Sequence, residues 1–207
     1  MARKPKEEAQ ATRERLLDAA EIMFQRRGVA TTSLNDIACA AGVTRGAVYW
    51  HFADKSDLID AMLRRVFLPM QAESDGLLGR ADDAEPLAHL REHVAGMLRM
   101  IAADEQVRRV IDITSNKVEY VDELGPVRDH RAAMRKDYIA RLQCTLARAQ
   151  ALGELARDLP ARTLAIGLFA LIDGLVRHWV MEPEGFDLRK VGLGAVDRYL
   201  AGLAVPA

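Results

Sequence analysis

Cysteine, aromatic residues and excess charge of either sign are scarce in this chain. Its 207 residues include two cysteines, Cys39 and Cys144, which lie far apart and outside any CxxC spacing. This argues against a disulfide framework and favours reduced, packed thiols. Aromatic residues make up 5% of the chain, and runs of β-branched residues between turn signals are few, which disfavours a β-rich fold. The formal net charge is -1, so nucleic-acid binding cannot be argued from total charge.

Targeting and catalytic motifs are missing as well. The first residues, MARKPKEE, are basic but lack the apolar core of a signal peptide, and Arg or Asp interrupts each long apolar run. The sequence contains no P-loop, no glycine-rich dinucleotide turn after a strand, and no Ser or Cys nucleophile motif. We therefore expect a soluble cytoplasmic protein that is not an enzyme, binds no cofactor or metal, and does not enter a membrane.

What the chain contains instead is a continuous helical signal. Hydrophobic residues make up 50% of it, enough to bury a sizeable core, and Ala, Leu, Arg and Glu dominate. Apolar residues recur at helical spacing along most of the sequence, with glycine or proline between the periodic segments. The pattern predicts an all-α protein of about nine helices, including a long one from about Asp122 to Leu152, with the clearest linker at GLLGRADDAEP, residues 76–86.

Capping and helix-breaking residues predict where several helices begin and end. We expect a basic, non-helical arm over residues 1–6, because Pro5 disfavours helix, and a first helix ended by Gly28. Thr32-Ser33 is suited to cap the second helix, and Thr44 the third. Pro69 is expected to kink or interrupt the fourth helix.

Residues 32–57, TSLNDIACAAGVTRGAVYWHFADKSD, predict two short helices joined by a tight turn. Such a helix-turn-helix can place its second helix in the DNA major groove, which is about 12 Å wide. Arg45 offers a forked donor, Tyr49 and His51 offer hydrogen-bonding groups, and Lys55 lies near the start of the following helix. The segment therefore indicates a DNA-binding motif.

The aromatic residues of this segment have a second interpretation that spacing does not exclude. Tyr49, Trp50 and His51 are also suited to form a surface aromatic cluster that closes a small helical bundle. The local charge decides little, because residues 1–56 hold nine basic against seven acidic side chains.

A family resemblance covers this region. The run TSLNDIACAAGVTRGAVYWHFADKSDL, preceded by TRERLLDAAEIMFQRRGVATT, resembles the N-terminal domain of the TetR/AcrR family of bacterial transcriptional repressors, above all in GVTRGAVYWHF. The resemblance implies a helix-turn-helix DNA-binding domain at residues 1–56, including the basic arm, and a ligand-binding and dimerisation domain at residues 57–207. It implies a homodimer that binds a pseudo-palindromic operator in double-stranded DNA and leaves it when a small molecule binds.

The resemblance also assigns DNA contacts by position. They fall on Thr32, Ser33, Thr44, Arg45, Gly46, Tyr49, Trp50, His51 and Lys55. Ala47 occupies a position where some members carry a polar residue that contacts a base. Base recognition is therefore expected to depend more on Thr44 and Arg45.

Three further strings resemble one branch of the family, the regulators of multidrug efflux pumps: MARKPKEEAQATR, VRRVIDITSNKVEY and LFALIDGLVRHWVMEP. This resemblance implies a broad, mainly apolar pocket for small hydrophobic or aromatic inducers such as antibiotics and solvents. The implied pocket positions include Met97, Ile111, Ser115 and Leu142. Where Ile111 and Ser115 stand, a regulator of this branch has Asn and His, so the pocket is expected to be less polar here.

An ionisable residue interrupts the apolar run IGLFALIDGLV. Asp173 is costly to bury unless it is paired or meets water or a ligand. It shares one predicted helical face with Ile166, Phe169, Val176 and Arg177, and that face is suited to line a ligand cavity. An internal Asp173–Arg177 pair at four-residue spacing is the alternative, and the two interpretations are compatible.

The other face of the same helix is also apolar and must be covered. Its residues are Leu168, Leu171, Ile172, Leu175 and Trp179. With the last helix, this face is suited to a four-helix dimer interface or to an ordinary core within one chain. We favour the dimer interface, because a palindromic operator requires two-fold symmetry.

A metal-binding alternative rests on two histidines. His89 and His93 lie four residues apart in HLREH, which is not an HExxH motif and has no evident third ligand, so we expect a solvated helix face there. The leading hypothesis is a ligand-responsive dimeric repressor whose recognition helices sit about 34 Å apart when bound to DNA, with the fourth helix as the lever. A TetR-type regulator of another pathway without drug ligands is the alternative.

Overall fold

Helices make up the regular secondary structure of this protein, which a computed structural model describes at residues 3–74, 76–118 and 124–205. This described part contains nine α-helices and no β-strand, which confirms the all-α prediction. The helices are α1 Arg3–Arg27, α2 Leu34–Ala40, α3 Arg45–His51, α4 Lys55–Ser74, α5 Pro86–Ala103, α6 Glu105–Asp112, α7 Gly125–Leu152, α8 Ala161–Met181 and α9 Leu188–Ala201. A π-helical turn, Ile113–Lys117, follows α6.

The chain divides into two compact units. The N-terminal unit comprises Met1–Phe67 and Arg109–His130, and the C-terminal unit comprises Leu68–Arg108 and Arg131–Ala207. The predicted domain boundary after residue 56 does not coincide with this division. The first half of α4 packs in the N-terminal unit, where Leu58, Ile59, Met62 and Leu63 are fully buried.

Most predicted caps form, but the basic arm does not. Ser33 caps α2, Thr44 caps α3, and Gly28 follows α1 with a φ of 82°. Residues 1–6 were expected to be non-helical, yet α1 begins at Arg3 and includes Pro5. The prediction was wrong because a proline in the first helical turn gives up an N–H that has no partner within the helix.

Pro69 was expected to kink or interrupt the fourth helix. α4 continues through Pro69 to Ser74, so the proline does not end it. A proline inside a helix gives up one backbone hydrogen bond, whereas the buried side chains of Met62 and Val66 fix the preceding turns. The predicted start of α7 at Asp122 lies outside the described residues.

A charged cluster lies inside the N-terminal unit. Glu21 of α1 has no exposed surface, and its carboxylate accepts a 2.5 Å hydrogen bond from the guanidinium of Arg65 in α4. The same guanidinium donates to Glu14 at 2.9 Å and to Asp18 at 2.8 Å, and Arg109 lies 3.6 Å from Glu21. Burial opposes the charge of Arg65, but its hydrogen bonds to Glu21 and Glu14 outweigh burial and raise its pKa.

In the C-terminal unit, α5 and α8 both pack against α9. The Tyr199 hydroxyl donates to the Leu164 carbonyl at 2.9 Å, and a Cβ at Gly167 would lie 2.7 Å from that hydroxyl oxygen. The Arg91 guanidinium of α5 donates two hydrogen bonds to the Asp197 carboxylate of α9, at 2.8 and 3.0 Å. The small residue in α8 thus lets the tyrosine of α9 approach its backbone.

Helix α8 is the most apolar of the described helices that are long enough to span a membrane. The mean hydropathy of its most apolar 18-residue stretch is 1.6, and 33% of that stretch is buried within one chain. A core helix of a soluble protein has the same composition, and α8 contacts α9 closely. Part of its apolar surface is nevertheless left uncovered by its own chain.

The charged cluster generates a stability prediction. Replacing Arg65 by Ala leaves the buried Glu21 carboxylate without its closest cation, and we expect the free energy of unfolding to fall by about 3 kcal/mol. Urea denaturation followed by circular dichroism, at one fixed protein concentration, measures the change.

Arg64→Ala is the matched control. Arg64 is the preceding residue of α4 and pairs with Asp60, but its side chain is 60% exposed, so its removal should cost about 0.5 kcal/mol or less. Equal, small decreases in the free energy of unfolding of the two variants would show that burial of the Glu21 carboxylate does not require Arg65.

Candidate DNA-binding surface and ligand site

Helix α3 presents a row of exposed side chains. Val48 of α3 and Phe52 at its C-terminal cap are buried, which leaves Arg45, Tyr49 and Trp50 on the exposed side of the helix. Trp50 is 73% exposed and Tyr49 49%, unusually high for large aromatic residues in a folded chain. An exposed face of this kind is typical of a binding surface.

The start of α3 is fixed by its cap. The Thr44 hydroxyl oxygen accepts a 3.2 Å hydrogen bond from the Ala47 N–H, and its own O–H remains able to donate. Gly46, in the first turn, has no side chain, and a Cβ there would meet nothing closer than Thr44 Oγ1 at 3.9 Å. The backbone of this turn is therefore accessible to a close partner.

Ring contacts order the side chains of α3. The Arg45 guanidinium lies 5.8 Å from the centre of the Tyr49 ring, and His51 lies edge-on to Trp50 at 4.5 Å. Burial and the charge of Arg13 lower the pKa of His51, so its ring is neutral near pH 7. Arg13, whose guanidinium lies 5.1 Å over the Phe52 ring, was not predicted from the sequence, because no local motif links α1 to α3.

Helix α2 begins with a reciprocal cap. Ser33 Oγ accepts a hydrogen bond from the Asp36 N–H at 3.2 Å, and Asp36 accepts from the Ser33 N–H at 2.9 Å and from the Ser33 hydroxyl at 2.6 Å. The side-chain and backbone hydrogen bonds from Ser33 lower the pKa of Asp36. Ser33 is exposed, so a DNA contact at this position fits its placement.

Thr32 and Lys55, which were predicted to contact DNA, have structural partners. Thr32 is 1% exposed, and its hydroxyl donates to the Gly28 carbonyl at 2.8 Å. A side chain so placed has no surface for DNA, so this assignment does not fit the structure. The Lys55 ammonium donates to the carbonyls of Val29 at 3.1 Å and Thr32 at 3.3 Å, which uses two of its three N–H groups.

The predicted ligand-site residues divide between the two units. Ile111 and Ser115 belong to the N-terminal unit, and the other six belong to the C-terminal unit: Met97, Leu142, Phe169, Asp173, Val176 and Arg177. Leu142 and Val176 are buried. Ile166, assigned to the same face of α8, is 45% exposed.

The expected internal pair on α8 is present. Arg177 Nε lies 2.7 Å from Asp173 Oδ2, with side chains 43% and 39% exposed. The Nε atom nevertheless has no hydrogen-bond partner, so the contact is one of charge rather than a directed N–H bond. A carboxylate held in this way keeps acceptor capacity for another group.

Histidines 89 and 93 do not form the expected solvated face. His93 is 6% exposed, and its Nε2 lies 2.9 Å from the Tyr138 hydroxyl. Burial, with a smaller effect from the charge of Arg141, lowers the pKa of His93 to about 4. His89 bonds instead to Asp83 through Nδ1 at 2.9 Å. Among the residues that the structure describes, no three potential metal ligands cluster.

The predicted dimer face of α8 lies largely inside the chain. Leu168, Ile172 and Trp179 are buried, and the Trp179 indole donates to the Phe186 carbonyl at 3.0 Å. Leu171 and Leu175 are partly exposed, so only they retain surface for a partner. The exposed stripe of α8 runs along different residues: Arg162, Ile166, Ala170, Gly174, His178 and Met181.

Comparison with known proteins agrees with these features. The family described as "Bacterial regulatory proteins, tetR family" matches residues 16–62, and the "MAATS-type transcriptional repressor, C-terminal region" matches residues 85–205. The chain belongs to the TetR family. It is a DNA-binding transcriptional regulator, and residues 16–62 contain its helix-turn-helix.

Relatives in the family cover the chain almost completely. The HTH-type transcriptional regulator TtgR of Pseudomonas putida is 37% identical over 204 residues, which span 97% of this chain and 93% of TtgR. NalD, the secondary repressor of the MexAB-OprM multidrug efflux pump in Pseudomonas aeruginosa, has a crystal structure with a TM-score of 0.87, 32% identity and coverage of 97% and 100%. A complex of SmeT with triclosan matches at a TM-score of 0.82 and 33% identity, with coverage of 95% and 93%. SmeT is the repressor of the Stenotrophomonas maltophilia efflux pump SmeDEF.

The burial of Thr32 generates a prediction that separates stability from DNA contact. Replacing Thr32 by Val keeps the side-chain shape and removes the hydrogen bond to Gly28, so we expect unfolding free energy to fall by about 1 kcal/mol. The DNA affinity of the folded protein should not change. Denaturant titration and fluorescence anisotropy with labelled DNA measure the two quantities.

Thr31→Val is the control. The Thr31 hydroxyl donates to the Arg27 carbonyl of α1 at 2.6 Å, but this residue is exposed. Because water can replace the lost hydrogen bond, the free energy of unfolding should change little. Weakened DNA binding with unchanged stability in Thr32→Val would return Thr32 to the DNA contacts.

Proposed function

We propose that this chain is a homodimeric cytoplasmic repressor of a multidrug efflux pump operon, released from its operator by small hydrophobic or aromatic compounds. The observation that carries the proposal is the exposed face of α3, where Arg45, Tyr49 and Trp50 project from a helix whose start is capped and whose underside is buried. Full-length similarity to efflux-pump repressors supports the choice of target.

Operator recognition would divide between phosphates and bases. The Arg45 guanidinium can donate two parallel hydrogen bonds to a guanine edge in the major groove, and its contact with Tyr49 limits its rotation. The hydroxyls of Ser33, Thr44 and Tyr49 are suited to phosphate oxygens. The neutral ring of His51 adds hydrogen bonding without charge. Base specificity would then depend on few residues, with Arg45 foremost.

Dimerisation would use the exposed side of α8 together with α9. Ala170 and Gly174 of α8 and Gly194 of α9 are small and exposed, and Ile166 and Val191, 45% and 40% exposed, add apolar surface. Small residues let two helix pairs approach closely in a four-helix arrangement. A two-fold axis there would match a pseudo-palindromic operator and set the recognition helices about 34 Å apart.

Ligand response would follow from a shared equilibrium. SmeT is a relative with a triclosan complex, and in this chain Phe169, Asp173 and Arg177 of α8 offer an aromatic ring and two charged groups on one helical face. A ligand that binds better to a conformation with unsuitable recognition-helix spacing shifts the dimer away from DNA. Operator and ligand then weaken each other's binding by the same factor. Helix α4, with residues in both units, is the proposed lever.

The DNA assignment predicts the effect of Arg45→Ala. Because one bidentate contact to a base is worth about 1–3 kcal/mol, affinity should fall by roughly tenfold or more. Binding sites selected from random-sequence DNA provide the operator, and fluorescence anisotropy measures the dissociation constant at fixed salt.

Arg135→Ala, which removes an exposed arginine of α7, is the charge-matched control and should leave affinity unchanged. Normal operator affinity in Arg45→Ala, with the dimer intact by sedimentation, would remove α3 from the recognition surface.

The dimer assignment predicts the effect of Ala170→Arg. A long cation in the exposed stripe of α8 should separate the protomers without unfolding them, because position 170 is not in the core of one chain. Analytical ultracentrifugation should show a monomer, and affinity for the full palindrome should fall.

Ala147→Arg makes the same change at an exposed position of α7 and should remain dimeric. A dimeric Ala170→Arg variant would place the interface elsewhere.

A further inference from the structure

A buried polar atom in the C-terminal unit lacks a partner. His93 Nδ1 is closed to solvent and has no hydrogen-bond partner, although the Nε2 atom of the same ring contacts the Tyr138 hydroxyl at 2.9 Å. A buried polar atom without a partner costs about 1–3 kcal/mol. A helix such as α5 could carry leucine here without that cost, so the imidazole calls for an explanation.

The histidine and tyrosine together offer one donor and one acceptor. Burial keeps His93 neutral and raises the pKa of Tyr138, so the phenol keeps its proton. If Nε2–H donates to the phenol oxygen, Nδ1 is an acceptor and the phenol O–H can donate elsewhere. In the other tautomer the phenol donates to Nε2, and Nδ1–H is the unpaired donor while the phenol oxygen still accepts. A hydroxyl group, which both donates and accepts, complements either state.

Aromatic surface lies next to this pair. The Tyr138 ring meets the Phe169 ring edge-on, with centroids 6.2 Å apart and planes at 69°. His93, Tyr138 and Phe169 therefore form one contiguous group contributed by α5, α7 and α8. An aromatic ligand packed on Phe169 would bring a hydroxyl substituent beside Tyr138.

Charge near the group selects among aromatic ligands. The charge of Arg141 adds to the effect of burial in lowering the pKa of His93, and it offsets part of the rise that burial causes in the pKa of Tyr138. A positive charge there disfavours a cationic ligand and favours a neutral or weakly acidic hydroxyl.

From this geometry we propose that His93 and Tyr138 form the polar recognition point of the ligand site, and that the preferred ligands are uncharged aromatic compounds with a hydroxyl group. The proposal rests on the ligand response proposed above and specifies its chemical class. Because Nδ1 is closed to solvent, the ligand must bind a more open arrangement of α5, α7 and α8. The unpaired nitrogen reduces the free-energy cost of leaving the closed arrangement.

Calorimetric titration of the 207-residue chain tests the proposal with two probes. One is triclosan, a chlorinated diphenyl ether with a phenolic hydroxyl, and the other is its deoxy analogue without that hydroxyl. We expect the wild-type chain to bind triclosan about tenfold more tightly or better, the effect of one well-made hydrogen bond. Tyr138→Phe and His93→Leu should each reduce this preference to about twofold or less.

Tyr199→Phe is the matched control, because it removes a phenolic hydroxyl that bonds to Leu164 in the same unit but not to His93. It should keep the full preference for triclosan. Thermal melting confirms that each variant is folded, and the comparison of probes on the wild-type chain needs no variant.

The outcomes separate this proposal from the proposed function. Equal wild-type affinity for both probes, binding of neither probe, or an undiminished preference in Tyr138→Phe would overturn the recognition point. Operator release is measured separately by anisotropy. Binding with the expected preference but without release of DNA would support the recognition point and contradict ligand-controlled repression.

Discussion

The hydrogen bond between Glu21 and Arg65 is the constraint on which the N-terminal unit depends. A carboxylate without exposed surface is tolerated only with a cation and hydrogen bonds in place. Arg65 supplies both from α4, and Arg109 adds a second positive charge from α6. The helix-turn-helix therefore cannot be completed by α1, α2 and α3 alone.

This constraint also bears on the recognition helix. α4 begins at Lys55, whose ammonium bonds to the carbonyls of Val29 and Thr32 just before α2. The helix that neutralises Glu21 thus also fixes the segment that precedes α2. Arg13, one turn before Leu17 on α1, lies over the Phe52 ring at the end of α3. The position of α3 therefore depends on α1 and α4 together.

Local signals predicted the helices well because capping and helix termination depend on few neighbouring residues. Ser33 and Thr44 cap α2 and α3, and Gly28 follows the end of α1, all at the predicted positions. The buried polar groups were missed because their partners are distant in sequence. Glu21 lies between Leu17 and Phe24 on the apolar face of α1, a visible signal, but Arg65 is 44 residues away. His93 follows Leu90 by one turn of α5, yet Tyr138 is 45 residues away.

The two faces of α8 have the same hydrophobic pattern in the sequence. Both faces are apolar, so periodicity does not distinguish the side covered by the same chain from the side left open. The structure distinguishes them, since Leu168 is buried whereas Ala170 and Gly174 are exposed. Residue size is no guide, because the small Ala165 is fully buried and the large Met181 is 71% exposed.

The burial of Glu21 also limits how the DNA-binding module can be exchanged between regulators. A chimera joined after residue 56 would take its arginine partner from a foreign helix, and that helix must provide a cation at the position of Arg65. A junction beyond Phe67 would carry the native guanidinium with the carboxylate, and the second cation, Arg109, would still have to come from the recipient. The segment that can be exchanged is therefore defined by where the Glu21 carboxylate is neutralised. Its end lies about three helical turns past residue 56.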